Sequence, residues 1–144
     1  MTITSYTEPV SKLLYYGDCR HFTQWPDYLK LDFSKEHIPA LIRMATDKEL
    51  NWGDSNSLEV WAPTHAWRAL AQLHAEDAIV PLLQLFHELK DDDLAVKELP
   101  IIYQMIGPKA VPALMDYIAE DSHGVHPRIT ATQSIKCIAK AYPK

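Results

Sequence analysis

The sequence predicts an all-α fold, and three observations lead to that prediction. Apolar residues recur at helical spacing through most of the 144-residue chain. Several of the ten prolines stand near the start of these apolar stretches, where a missing N–H is tolerated because the first N–H groups of a helix have no partner. The chain also has only four glycines and no Asn-Gly pair, so the turns that tight β-hairpins prefer are lacking.

The N-terminal residues differ from the remainder and predict a helical cap over 1–35. EPVSKLLYYG is typical of a short helix that ends at Gly17, and WPDYLKLDF predicts a second short helix. Terminal units of stacked helical proteins are atypical because they cover the end of the stack. We therefore expect this segment to cap a body formed by residues 36–144.

Three segments of that body open in the same way, with a β-branched residue, a proline, a small or apolar residue and a leucine. They are IPALIRMATD (38–47), VPLLQLFHEL (80–89) and VPALMDYIAE (111–120). An interior proline would cost a helix about 3 kcal/mol, so Pro39, Pro81 and Pro112 predict first turns. The break before Pro81 is predicted at Ala75–Asp77, with Asp77 as the N-cap.

Each of these helices is followed by a partner helix. APTHAWRALAQL and HPRITATQSIKCIAKAYP each have a proline near the start and small residues on one face. The middle partner helix is predicted at about Leu94–Ile106, ended by Gly107, and Pro100 either kinks it or marks a late start. The stretch NWGDSNSLEVW, residues 51–61, predicts a loop.

AIVPLLQLF, AVPALMDYI and the A..AL..L spacing of residues 66–73 resemble HEAT repeats. The similarity is to the short bacterial kind named after phycobilisome lyases, and it covers residues 36–144. The resemblance implies an α–α superhelix of three HEAT-like helix pairs in a right-handed stack. Members of that family are mostly scaffolds and adaptors, and a few belong to bilin lyases. The repeat motif contains no catalytic residue, so the resemblance implies none here.

Composition narrows the class of protein. The net charge of −5 disfavours binding to nucleic acid, and Lys136, Lys140 and Lys144 are interpreted as cations near a helix C-terminus. Cys19 and Cys137 form no disulfide framework. No apolar stretch is long enough to span a membrane, and MTITSYTEPV is not a signal peptide. We expect a cytoplasmic protein that binds neither a membrane nor nucleic acid.

Catalytic and metal-binding patterns are weak. Cys19 with His21, His65 with His74, and His123 with His126 are candidate metal pairs, but zinc needs three or four ligands. The chain has no HExxH, GxSxG or glycine-rich phosphate loop. The acidic run at 88–93 is interpreted as helix capping. We therefore expect no enzyme activity, no metal and no cofactor.

Aromatic and cationic residues around the helix after the loop predict a partner-binding surface. Trp and Arg are the residues most enriched at binding hot spots, and second helices line the concave face of helical stacks. The hypothesis names Trp61, His65, Trp67, Arg68 and Gln72, together with the loop at 51–60. The alternative is that the indole rings pack the loop onto the body.

The sequence thus favours a non-catalytic protein–protein interaction module, a small adaptor or regulatory scaffold that binds through its second helices. The alternative is a ligand-handling or lyase-associated subunit that holds a hydrophobic cofactor in the concave groove. Apolar surface at the end of a short stack predicts that the protein can also form a homodimer.

Overall fold

A computed structural model describes residues 6–17, 25–31, 33–51 and 59–142. Within these ranges the secondary structure is entirely helical, with no strand, as the sequence predicts. None of the described helices is long and apolar enough to cross a membrane. The α-helices are α1 (Ile38–Ala45), α2 (Lys48–Asn51), α3 (Ala62–Gln72), α4 (Ile79–Leu83), α5 (Leu85–Glu88), α6 (Asp93–Ile106), α7 (Val111–Ala119) and α8 (Val125–Ala141).

The three prolines predicted to stand in first turns of helices do so. Pro39 and Pro112 are the second residues of α1 and α7, and Pro81 is the third residue of α4. The break before α4 runs through a 3₁₀ turn at Glu76–Ala78. Asp77 lies inside that turn, so the prediction that it caps the helix is wrong.

The partner helix of the middle pair begins well before Pro100 and not at it. α6 starts at Asp93 and continues through Pro100 to Ile106. The Asp92 carboxylate accepts hydrogen bonds from the N–H groups of Leu94 and Ala95, at 3.0 and 3.2 Å. This confirms the capping interpretation of the acidic run. Gly107, with a φ of 109°, ends the helix as predicted.

The first compact unit extends to Leu73 and is built around α3. α1 packs against α3, and so do two 3₁₀ turns of the N-terminal segment, Val10–Tyr15 and Tyr28–Leu31. These turns stand where short helices were predicted, and Gly17 with a φ of 81° follows the first. The described part of the predicted cap therefore lies against a helix of this unit, and capping of a stack stays a prediction.

The second compact unit begins at His74 and is built around α8. α8 contacts α5, α6 and α7, and α4 contacts α7. The Phe86 and Tyr103 rings stack in its interior with centroids 5.5 Å apart, and the Tyr103 hydroxyl donates to the Ile79 carbonyl at 2.8 Å. Segment 80–89, predicted as one helix, forms α4 and α5, which meet at Gln84.

Candidate functional site

The five residues predicted to bind a partner lie on or beside α3, and most of their surface is covered. His65, Trp67 and Arg68 are 0 %, 1 % and 3 % exposed, and Trp61 and Gln72 are half-buried. Part of the predicted loop, residues 52–58, lies outside the described residues, and Trp52 with it.

His65 connects α3 to two parts of the N-terminal segment. Its Nε2–H donates to the Gly17 carbonyl at 2.8 Å, since a carbonyl can only accept. In the neutral ring Nδ1 then accepts from the Tyr28 hydroxyl at 2.6 Å. One side chain thus satisfies polar groups from residues 37 and 48 positions away.

Gln72 and Arg68 contact the same segment. The Gln72 side chain accepts from the Tyr28 N–H at 2.9 Å and donates to the Pro26 carbonyl at 3.0 Å. The Arg68 guanidinium carbon lies 4.9 Å from the centroid of the Trp25 ring, within the range of a cation–π contact.

The structure corrects the expectation that Arg68 is open to a partner. Its side chain is buried, and the N-terminal segment packs on α3. A partner would reach His65, Trp67 and Arg68 only after that segment had moved away. Binding through these residues stays a prediction.

The predicted histidine pairs form no metal centre in the described part of the chain. No group of three or more metal-ligating side chains is found there. His74 Nδ1 donates to the Met105 carbonyl, and both ring nitrogens of His65 make the hydrogen bonds described above. Cys19 and His21 lie outside the described residues.

A surface groove on α8 is the candidate site that the structure adds. The "α8 groove" has a volume of about 310 Å³, and its described lining consists of one residue of α7 and six of α8. Val125 and Ile129, one helical turn apart on α8, are 66 % and 55 % exposed. Two apolar residues exposed side by side form a small apolar patch, the kind of surface that can mark an interaction site. The lining residues are Ile118, Val125, Arg128, Ile129, Thr132, Gln133 and Lys136.

Two cationic side chains line the α8 groove, those of Arg128 and Lys136, and none of its described lining residues is acidic. Arg128 is positioned by a hydrogen bond from its Nε to the Ile118 carbonyl, at 2.7 Å. The groove therefore presents apolar surface beside two cations, although the chain as a whole carries a net charge of −5.

A second groove, the "ring groove", contains the residues closest to catalytic chemistry. It has a volume of about 690 Å³ and includes His87, Tyr117 and His123. The Tyr117 and His123 rings stack 3.8 Å apart, and His87 Nδ1 lies 2.9 Å from the Tyr117 hydroxyl. Burial raises the pKa of Tyr117 to about 12, so this phenol is neutral near pH 7 and is not a base.

The histidines of the ring groove make contacts within the protein. His123 Nδ1 donates to the Tyr117 carbonyl at 2.8 Å, so this nitrogen is occupied within the protein. Asp116 and Glu120 also line the groove, and both are exposed.

A third groove lies at the C-terminal end of α8, and its described lining is almost entirely apolar. This "apolar groove" has a volume of about 710 Å³. That size falls in the range of small-molecule sites, roughly 300–1,000 Å³. Its lining residues are Pro108, Val111, Ile135, Ile138, Ala139, Ala141 and Tyr142.

Sequence reasoning missed the α8 groove because it interpreted Lys136 only as a cation near a helix end. The available signal was the spacing of Val125 and Ile129 on one face of α8, away from the small residues of its buried face. Comparisons of the chain with family models, curated proteins and solved structures gave no significant match.

Proposed function

We propose that this protein is a non-catalytic protein-interaction module, a small cytoplasmic adaptor or regulatory scaffold built from HEAT-like helix pairs. On this proposal a protein partner binds the α8 groove, which belongs to the second helix of the last pair. The observation that carries the proposal is the exposed pair Val125 and Ile129 beside Arg128 and Lys136. Apolar residues with a polar, cationic rim are typical of protein-binding patches.

The helix contacts support the same reading. Each predicted pair has direct contacts, namely α1 with α3, α5 with α6 and α7 with α8. Within the second unit α8 packs on three helices, so it is a rigid support for a binding surface. Rigid elements hold a contact face in place at little entropic cost.

Site-specific photo-crosslinking tests the proposal. A photoreactive amino acid replaces Ile129 in the α8 groove, and a matched one replaces Val96, a 40 % exposed residue of α6 that lies outside the three grooves described above. In the native cell we expect a stoichiometric protein adduct at position 129 and not at 96, identified by mass spectrometry. Equal labelling at both positions, or none at 129, would contradict the proposal. A cross-link to a second copy of the chain would identify a homodimer interface.

A second candidate function rests on the apolar groove. Its volume of about 710 Å³ and the absence of charged residues from its described lining favour a small hydrophobic ligand, as in a ligand-handling or lyase-associated subunit. Native mass spectrometry and the absorbance spectrum of the purified protein would detect such a ligand. An Ala139→Trp substitution would fill the groove and should abolish retention, while Ala119→Trp on exposed α7 surface should not. Retention by both variants would contradict this candidate.

A further inference from the structure

The dimensions of the α8 groove define the kind of segment it can hold. Val125 and Lys136 stand eleven positions apart on one helix, which corresponds to about 16 Å at 1.5 Å per residue. A partner helix of about three turns has that length. The groove also lies between two helices, α7 and α8, where the ridges of a third helix can pack.

An extended segment fits this surface less well. β-Strand addition obtains its affinity from backbone hydrogen bonds to an open sheet edge, and the described residues contain no strand. The exposed surface of α7 and α8 therefore offers mainly side-chain contacts. Val125 and Ile129, four residues apart, match the apolar stripe of an amphipathic helix, whose anchors recur at i, i+3, i+4 and i+7.

The cationic residues of the groove favour a partner segment with negative charge. Arg128 and Lys136 line the groove with the apolar pair, and the other polar residues of its described lining, Thr132 and Gln133, are neutral. Carboxylates beside the apolar stripe of a partner would complement these cations and raise its association rate. A basic segment would meet like charge, which disfavours it. Two cations with exposed valine and isoleucine are poorly suited to a phosphate backbone, which is bound by arrays of Lys and Arg.

We propose that the α8 groove binds an acidic amphipathic helix of a partner protein, with its apolar stripe on Val125 and Ile129 and its carboxylates facing Arg128 and Lys136. This inference rests on the proposed function, because it names the partner segment for the same surface.

The test uses the full chain and three series of stapled helical peptides of about 16 residues, so that each covers the groove. All series carry leucine at i, i+4, i+7 and i+11, and the flanking positions are Glu, Gln or Lys. Fluorescence anisotropy measures binding of each dye-labelled peptide. We expect the Glu series to bind at least about tenfold more tightly than the Gln series, with the Lys series weakest. The preference should shrink as salt is raised, because exposed charges are screened.

Matched variants locate the effect. Lys136→Glu should remove most of the difference between the three series, because the new carboxylate offsets the charge of Arg128, while Lys140→Glu, at an exposed position of the same helix outside the described groove lining, should leave the order unchanged. Ile129→Ser should weaken every series, and Val96→Ser none. Both apolar positions are exposed, at 55 % and 40 %, so folding is retained. Circular dichroism and thermal unfolding of each variant verify this.

The outcomes separate the inference from the proposed function. Equal binding of the three series, no binding of any, or equal effects of Lys136→Glu and Lys140→Glu would overturn the acidic-helix inference. If a protein still cross-links at position 129 and not at 96, the protein-binding function stands and the nature of the partner segment is different. If neither experiment shows binding, both proposals fail.

Discussion

Arg68→Glu is the substitution that best separates an open α3 surface from the covered one in the structure. If Arg68 were a partner contact on the surface, the change would leave stability almost unaltered, since surface substitutions usually lie within about 0.5 kcal/mol. The side chain is instead 3 % exposed, and its guanidinium lies over the Trp25 ring. We therefore expect a large loss of stability.

The magnitude follows from two contributions. A desolvated cation–π contact is worth about 2 kcal/mol. An uncompensated charge in a buried position costs about 3–5 kcal/mol, and a carboxylate would also face the negative π-surface of the indole. We expect the free energy of unfolding to fall by about 4 kcal/mol or more. Arg68→Leu, which buries no charge, should cost less than Arg68→Glu, and at least about 2 kcal/mol for the lost cation–π contact.

Urea unfolding followed by tryptophan fluorescence measures this loss in the relevant unit, because all four tryptophans of the sequence lie in residues 1–73. Lys30→Glu is the control, since it makes the same change of charge at an exposed position of the same unit. A loss below about 1 kcal/mol for Arg68→Glu, equal to that of Lys30→Glu, would refute the covered orientation of α3.

Three further predictions concern the second unit. Asp92→Ala should lower the free energy of unfolding by about 1 kcal/mol, because α6 loses its N-terminal cap. Urea unfolding measures this loss, with Asp91→Ala at the exposed neighbouring position as the control, and equal effects of the two substitutions would count against the cap. Gly107→Ala should cost about 1–2 kcal/mol, because residues with a Cβ rarely adopt the φ of +109° found here. Lack of space is not the cause, because the nearest atom of Tyr142 lies 3.6 Å from the added Cβ. An unchanged melting temperature would disprove this prediction. Burial raises the pKa of Tyr117 to about 12. The contribution of the neutral phenol to stability is therefore complete below its pKa in the unfolded chain, about 10, and is lost as the pH rises towards 12. Tyr117→Phe should flatten the stability–pH curve in this range, and an unaltered slope would contradict the assignment.

The helices and their first turns could be predicted from the sequence because their signals are local. Pro39, Pro81 and Pro112 stand in the first turns of α1, α4 and α7, and Gly107 ends α6. Fine details of the breaks could not, since a 3₁₀ turn places Asp77 one residue inside the segment that it was expected to cap.

The covering of α3 could not be predicted from the periodicity of that helix alone. The contacts that cover it join Gln72 to Tyr28 and Pro26, more than forty positions away. One local signal did exist, because Arg68 is the only charged residue in the eleven of α3. A helix with so little charge is typically buried on all sides. α8 carries Arg128, Lys136 and Lys140 and keeps one face open.

The connections made by His65 have a consequence for experiments on shortened chains. A protein that begins at residue 36 would lack both hydrogen-bond partners of this imidazole, the Gly17 carbonyl and the Tyr28 hydroxyl. It would also lack the indole of Trp25 that covers Arg68. Removal of the N-terminal segment would then expose a helix made for the interior, and a loss of binding in such a truncation would report unfolding of the first unit rather than a missing contact.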